Sequence, residues 1–133
     1  MTDADPSKRA RARRPVPVEV RAAALVALAG PALFLIVALV RWRVEGGAGL
    51  FGVPTAFAVA EFAVAGGLLA GLRPARATGM VVFVLAALVH LMILLGSTPW
   101  WARLVAAVLA AAHIYATVLL GAGPTRDYLG GAR

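Results

Sequence analysis

Four long apolar runs dominate this 133-residue sequence and constrain its fold more than any other feature. Each run is long enough to cross a bilayer once as a helix, which takes about 20 apolar residues. Hydrophobic residues make up 62% of the chain, charged residues 14%, and the mean hydropathy is +0.87. These values lie well outside the range of soluble globular domains. A water-soluble fold would have to hide all four runs in one small core, so the sequence predicts an integral membrane protein.

Glycine, proline and basic residues break the chain between these runs. A glycine-rich connector follows the first run, Arg73-Pro74-Ala75-Arg76 predicts a tight turn that stops the second, and residues 96–99 end the third. Short connections force neighbouring helices to be antiparallel. The predicted fold class is therefore all-α, a four-helix transmembrane bundle with up-down-up-down topology. The predicted helices cover about residues 18–41, 53–72, 78–95 and 100–120 of a membrane domain spanning 18–123.

The two ends of the chain are polar. Residues 1–17 are basic and proline-punctuated, with no apolar face to bury, which predicts a disordered cytoplasmic tail; residues 124–133 are predicted to be a short cytoplasmic tail. The first run is too long for a signal peptide and lacks a small-residue cleavage site, so we interpret it as an uncleaved span. The basic tail favours anionic lipid headgroups as partners. Nucleic acid is not an expected partner, because the chain has no soluble domain to present the tail.

Basic residues near the ends of the runs predict the orientation. With both termini in the cytoplasm, that side holds Lys8, Arg9, Arg11, Arg13, Arg14, Arg21, Arg73, Arg76, Arg126 and Arg133. The other side holds only Arg41, Arg43 and Arg103, so the positive-inside rule favours N-in, C-in. In this orientation Trp42, Trp100 and Trp101 all lie at the outer interface, where tryptophan anchors membrane helices. Many Ala, Arg and Gly but one Lys suggest a bacterium, and hence its plasma (inner) membrane.

Only three residues well inside the runs are ordinary acids or bases: Glu61, His90 and His113. At a rise of about 1.5 Å per residue, they lie roughly 12, 8 and 18 Å from the outer ends of their helices. The two histidines share helix faces with small or hydroxyl-bearing residues, which are typical of close helix contacts in membranes. The sequence therefore predicts that the three side chains can meet in one polar layer. Gly67 and Gly71 form a GxxxG pattern on another side of the second helix.

A carboxylate at mid-membrane is costly unless it is protonated, paired or hydrated, so Glu61 needs a partner. One hypothesis is a neutral Glu–His hydrogen bond that specifies the order of the helices. A second is that Glu61 and the histidines handle a proton or a cationic substrate. Metal binding is disfavoured, because the three residues come from separate helices without the short spacing of His ligands. No metal or cofactor is therefore expected.

No standard catalytic motif occurs in the chain: GxSxG, P-loop, dinucleotide glycine and HExxH patterns are absent, and there is no cysteine. The sequence thus favours a non-enzymatic accessory or structural membrane subunit. The alternative is a small proton-coupled transporter or permeation unit that uses Glu61 with His90 and His113. The expected partners are the lipid bilayer and either further copies of the chain or another membrane protein.

Overall fold

The computed structural model describes residues 15–130 of the chain. Within this part the chain is helical and contains no strand: α1 (Val18–Glu45), α2 (Gly52–Leu69), α3 (Arg73–Leu95), α4 (Trp100–Gly121) and the short α5 (Gly123–Gly130), with a 3₁₀ segment at Ala48–Phe51. The prediction of an all-helical chain with four helices long and apolar enough to cross a membrane is confirmed. Most of the predicted N-terminal tail, with Lys8, Arg9, Arg11, Arg13 and Arg14, lies outside the described residues.

The four long helices pack in a ring, in which α1 and α3 each contact both α2 and α4. Small side chains face the interior and let the helix backbones approach closely; those buried there include Ala23, Ala27, Ala65, Ala86 and Ala106. Large apolar side chains point outward instead, as Leu25 and Val108 do at 65% exposure each. An apolar outer surface of this extent is unfavourable in water and is covered by lipid in a membrane.

Helix α1 extends beyond its predicted end at residue 41 and reaches Glu45. Glu45 lies one turn after Arg41 and accepts two hydrogen bonds from it, from Nε at 3.0 Å and from Nη2 at 2.7 Å. Gly46 follows with a φ of 73°, a left-handed conformation that favours glycine and ends the helix. The connector to α2 is therefore shorter than the sequence indicated.

The turn between α2 and α3 lies earlier than predicted, because Arg73-Pro74-Ala75-Arg76 is the first turn of α3. The chain reverses at Gly71, whose φ is 70°. Its N–H donates to Leu68 O at 3.1 Å and the Leu72 N–H donates to Gly67 O at 2.9 Å, which is the Schellman pattern of a helix C-terminus. The two glycines of the GxxxG pattern thus have different roles: Gly71 ends α2, whereas Gly67 lies against Ala75 of α3.

The segment predicted as a short polar tail contains helix α5, which packs against α1, α3 and α4. Leu129 is 2% exposed and belongs to the same apolar core as Val20 and Leu68. Thr125 Oγ1 donates to Leu119 O at 2.9 Å, and Arg76 Nε donates to Leu120 O at 2.9 Å. Leu119 O also accepts the N–H of Ala122 at 3.1 Å, so both side chains add donors to carbonyls in the last turn of α4.

Candidate functional site

Glu61 of α2, His90 of α3 and His113 of α4 all point into the ring interior and are buried, with exposures of 1%, 2% and 0%. Glu61 Oε2 lies 3.1 Å from His113 Nε2. The His90 ring stacks on the His113 ring, with 5.3 Å between centroids and 16° between planes. His113 thus contacts both of the other residues named from the sequence, and we call Glu61, His90 and His113 the polar cluster.

The hydrogen bonds of His113 determine where its protons lie. Its Nδ1 is 2.6 Å from Leu109 O, and because a carbonyl only accepts, Nδ1 carries a proton and donates it. A neutral His113 then has a lone pair on Nε2, facing Glu61 Oε2. The 3.1 Å contact requires a proton between these two atoms, held either by a protonated Glu61 or by an imidazolium. In both forms the Glu61–His113 pair has no net charge, which suits a buried site in an apolar interior.

His90 follows the same rule on its own helix, since its Nδ1 donates to Ala86 O at 2.6 Å. Its Nε2 is then a lone-pair acceptor in the neutral ring. This atom is buried and has no hydrogen-bond partner among the described residues. His90 therefore brings an unused acceptor into the polar cluster, beside a pair that holds one shared proton.

A phenylalanine ring packs against each imidazole of the polar cluster, at 54° between planes for Phe34 on His90 and 67° for Phe83 on His113. The Phe34 ring of α1 lies 4.7 Å from the His90 ring, and the Phe83 ring of α3 lies 5.7 Å from the His113 ring, each measured between centroids. Both phenylalanines are buried. The two phenylalanine rings give the imidazoles apolar surroundings, which limits the access of water to them.

Gly30 of α1 lies directly against the Glu61–His113 hydrogen bond. A Cβ atom at Gly30 would be 3.1 Å from His113 Cε1, 3.3 Å from His113 Nε2 and 3.4 Å from Glu61 Oε2. Only a residue without a side chain lets α1 approach this closely. Sequence reasoning singled out Gly30 for no such role, because a glycine in an alanine-rich helix gives no signal of what it faces.

The three tryptophans named as interface anchors differ in their surroundings. Trp100 is 74% exposed and Trp42 is 40% exposed, while Trp101 is half-buried. The Trp42 ring packs edge-on against Phe51 at 6.1 Å, and the Arg43 guanidinium lies 5.4 Å from its centroid. Trp100 and Trp42 therefore lie on the outer surface, and their role as interface anchors stays a prediction.

Residues 15–130 contain no group of three or more His, Cys, Asp or Glu side chains placed to hold a metal ion. Comparison of the chain with models of known protein families, with curated proteins and with solved structures finds no match. The fold and the polar cluster therefore define only a class of protein. It is a small helical protein with four helices suited to spanning a membrane and a buried Glu–His pair between them.

Proposed function

We propose that this chain is a non-enzymatic accessory or structural subunit of a bacterial inner membrane, folded as an up-down-up-down bundle. The observation that supports this most is the Glu61–His113 hydrogen bond. Helices α2 and α4 occupy opposite positions in the ring, and each packs mainly on α1 and α3. The bond therefore crosses the interior and joins two helices that are not direct neighbours.

A bond across the ring favours this packing, because an arrangement that moves α2 and α4 apart, or turns Glu61 or His113 away from the interior, leaves a buried acid or imidazole without its partner. Removing a partner from a buried hydrogen bond costs about 1–3 kcal/mol. A single polar contact of this kind can select one packing among several of similar apolar burial. This role requires no opening of the interior and no exchange with solvent, in keeping with the burial of both side chains.

A double-mutant cycle tests the structural role. We expect Glu61→Leu and His113→Leu each to lower the free energy of unfolding in detergent by about 1–3 kcal/mol, and the double variant to lose less than the sum. Ala111→Leu, at an exposed position of the same α4, is the matched control. Additive losses would show that the contact has no coupling energy and would contradict the proposed role.

The unpartnered Nε2 of His90 favours a second candidate, a small proton-coupled transporter or permeation unit. The Glu61–His113 pair holds one proton, and the stacked His90 offers a neighbouring acceptor. Proteoliposomes with an imposed pH gradient distinguish the two candidates. A flux that Glu61→Gln abolishes while folding is retained would establish this second function and would contradict a purely structural role.

The proposed partners follow from the surface. Apolar side chains on the outer faces of the helices suit lipid tails, and the basic N-terminal residues suit anionic headgroups. Association with a further copy or with another membrane protein would use the same lipid-facing surface, where the exposed Ala63 and Gly66 of α2 permit a close approach of backbones.

A further inference from the structure

A pocket of about 490 Å³ lies where the ends of the long helices meet, and it does not include the polar cluster. Its walls include Phe34, Ala38 and Arg41 of α1, Leu50 of the 3₁₀ segment, and Val89 and Met92 of α3. We call it the Arg41 pocket. Its volume is within the range of pockets that hold small molecules.

The lining indicates what kind of molecule the Arg41 pocket accepts. Most of its lining residues are aliphatic or aromatic, and Arg41 is its one charged residue. Ordered water needs several polar partners, which such walls do not offer, so a hydrocarbon chain is a better occupant than water or a sugar. Phe34 closes the deep side, since its ring packs on the His90 ring and separates the pocket from the polar cluster.

Arg41 indicates the headgroup of that occupant. The guanidinium already holds a carboxylate in bidentate geometry, because Nε and Nη2 donate to the two oxygens of Glu45. Glu45 is an exposed side chain on the same helix, and pairs of this kind are only weakly favourable. A carboxylate delivered by a ligand can therefore replace it at the same fork. Arg43 and Arg103 add positive charge at this end of the helices, which favours an anionic head.

We propose that the Arg41 pocket binds a long-chain fatty carboxylate, with its head at Arg41 and its chain extending toward Phe34 and Val89. The pocket is built on side chains other than Glu61, His90 and His113, so this inference does not depend on the role of the polar cluster. A free carboxylate is preferred to a phospholipid because the volume suits one chain, and because the fork at Arg41 already fits a carboxylate.

The test uses the full chain in nanodiscs of phosphatidylcholine, with palmitate that has a photoreactive diazirine in mid-chain. We expect mass spectrometry to find the label on the pocket residues Phe34 and Val89 above the background at the lipid-facing Leu25 and Val108. Excess palmitate should suppress that label, and excess hexadecanol, which has the same chain without the charge, should suppress it far less. A label spread evenly over lipid-facing residues would overturn the proposal.

Two pairs of variants test whether the label depends on the Arg41 pocket and on the charge of Arg41. Ala38→Phe fills the pocket and should reduce labelling by about tenfold, whereas Ala32→Phe, on the exposed face of the same helix, should leave it unchanged. Arg41→Gln keeps the pocket open and should remove the preference for palmitate over hexadecanol, a loss of about tenfold. Arg21→Gln, at an exposed position at the opposite end of the same helix, should retain that preference. Unchanged labelling in Ala38→Phe, or an unchanged preference in Arg41→Gln, would contradict the proposed site.

A phospholipid probe distinguishes the source of the chain. The same diazirine is placed in one acyl chain of phosphatidylglycerol, whose phosphate also suits a guanidinium. Labelling of the pocket by palmitate alone supports the free carboxylate. Labelling by the phosphatidylglycerol probe and not by palmitate would overturn that assignment.

Discussion

At the scale of single residues, Gly30 is the position where one methyl group has the largest expected effect on the polar cluster. Its Cβ would lie 3.1–3.4 Å from atoms of His113 and Glu61. The His113 ring cannot easily move away, because its Nδ1 is held by Leu109 O. We expect Gly30→Ala to lower the free energy of unfolding by about 1–3 kcal/mol, the usual cost of overpacking, despite the higher helix propensity of alanine.

The matched control for Gly30 is Gly66→Ala in α2, where a Cβ has nothing within 4 Å. Alanine there should leave the stability unchanged or raise it by up to about 1 kcal/mol, because glycine is the poorer helix former. Thermal unfolding in detergent compares the two variants. Equal stability of both would show that α1 can yield at the cluster and that the close approach at Gly30 contributes nothing.

His90 and His113 make a second comparison, because the two rings have similar surroundings but different hydrogen bonds. Phenylalanine at position 90 keeps a stacking ring and removes an Nε2 that has no partner. It also removes the Nδ1 bond to Ala86 O, a loss that His113→Phe shares through Leu109 O, so we expect the stability to change by less than about 1 kcal/mol. His113→Phe deprives Glu61 of its partner and should cost about 1–3 kcal/mol. Proteoliposomes of the wild type and of His90→Phe test whether His90 handles protons. A proton flux that is present in the wild type and lost in His90→Phe would support the transport function, whereas an equal flux in both proteins would exclude His90 from it.

At the scale of elements, α5 shows why a short polar sequence can belong to the core. Only Leu129 and Thr125 of this helix are buried. In the sequence, one apolar residue such as Leu129 among polar residues does not distinguish a short helix packed on the core from a free tail. The contacts that place α5 come from distant residues, for example the Tyr128 hydroxyl, which donates to Leu69 O at 3.3 Å. The tail prediction therefore missed the helix because its partners lie on other elements.

Leu129→Ala tests how firmly α5 is docked. We expect a loss of about 2–4 kcal/mol, because the side chain is 2% exposed and packs in the main apolar core. Asp127→Ala, at an exposed position of the same helix, should change the stability by less than about 0.5 kcal/mol. Chemical unfolding of both variants in the same detergent provides the measurement. A negligible effect of Leu129→Ala would mean that α5 undocks without affecting the rest of the fold.

At the scale of the whole molecule, the long helices could be predicted because an apolar run inside a bilayer must satisfy its backbone hydrogen bonds internally, which a helix does. The meeting of Glu61, His90 and His113 followed from depth and helix face, which depend only on the regular geometry of a helix. Which pair forms the hydrogen bond could not be predicted, since it depends on which helices lie opposite each other. The Arg41 pocket was missed for a related reason: residues from several parts of the chain meet there, and none is unusual alone.

Orientation is the property of the whole molecule that most affects both proposals, because it determines the side from which the Arg41 pocket and the polar cluster are reached. Ten of the 13 basic residues lie on the cytoplasmic side if both termini are inside. We therefore expect a reporter that is active only in the cytoplasm to be active after Arg133, and a reporter that is active only outside to be active when inserted near Gly47.

Gly47 suits an insertion, because it lies in the exposed connector and a Cβ there meets nothing within 4 Å. A matched fusion in the turn at Leu72 should behave like the one at Arg133, since one more helix crossing separates it from Gly47. The reverse pattern at all three positions would place the Arg41 pocket on the cytoplasmic side, and a mixed pattern would contradict the four-span topology itself.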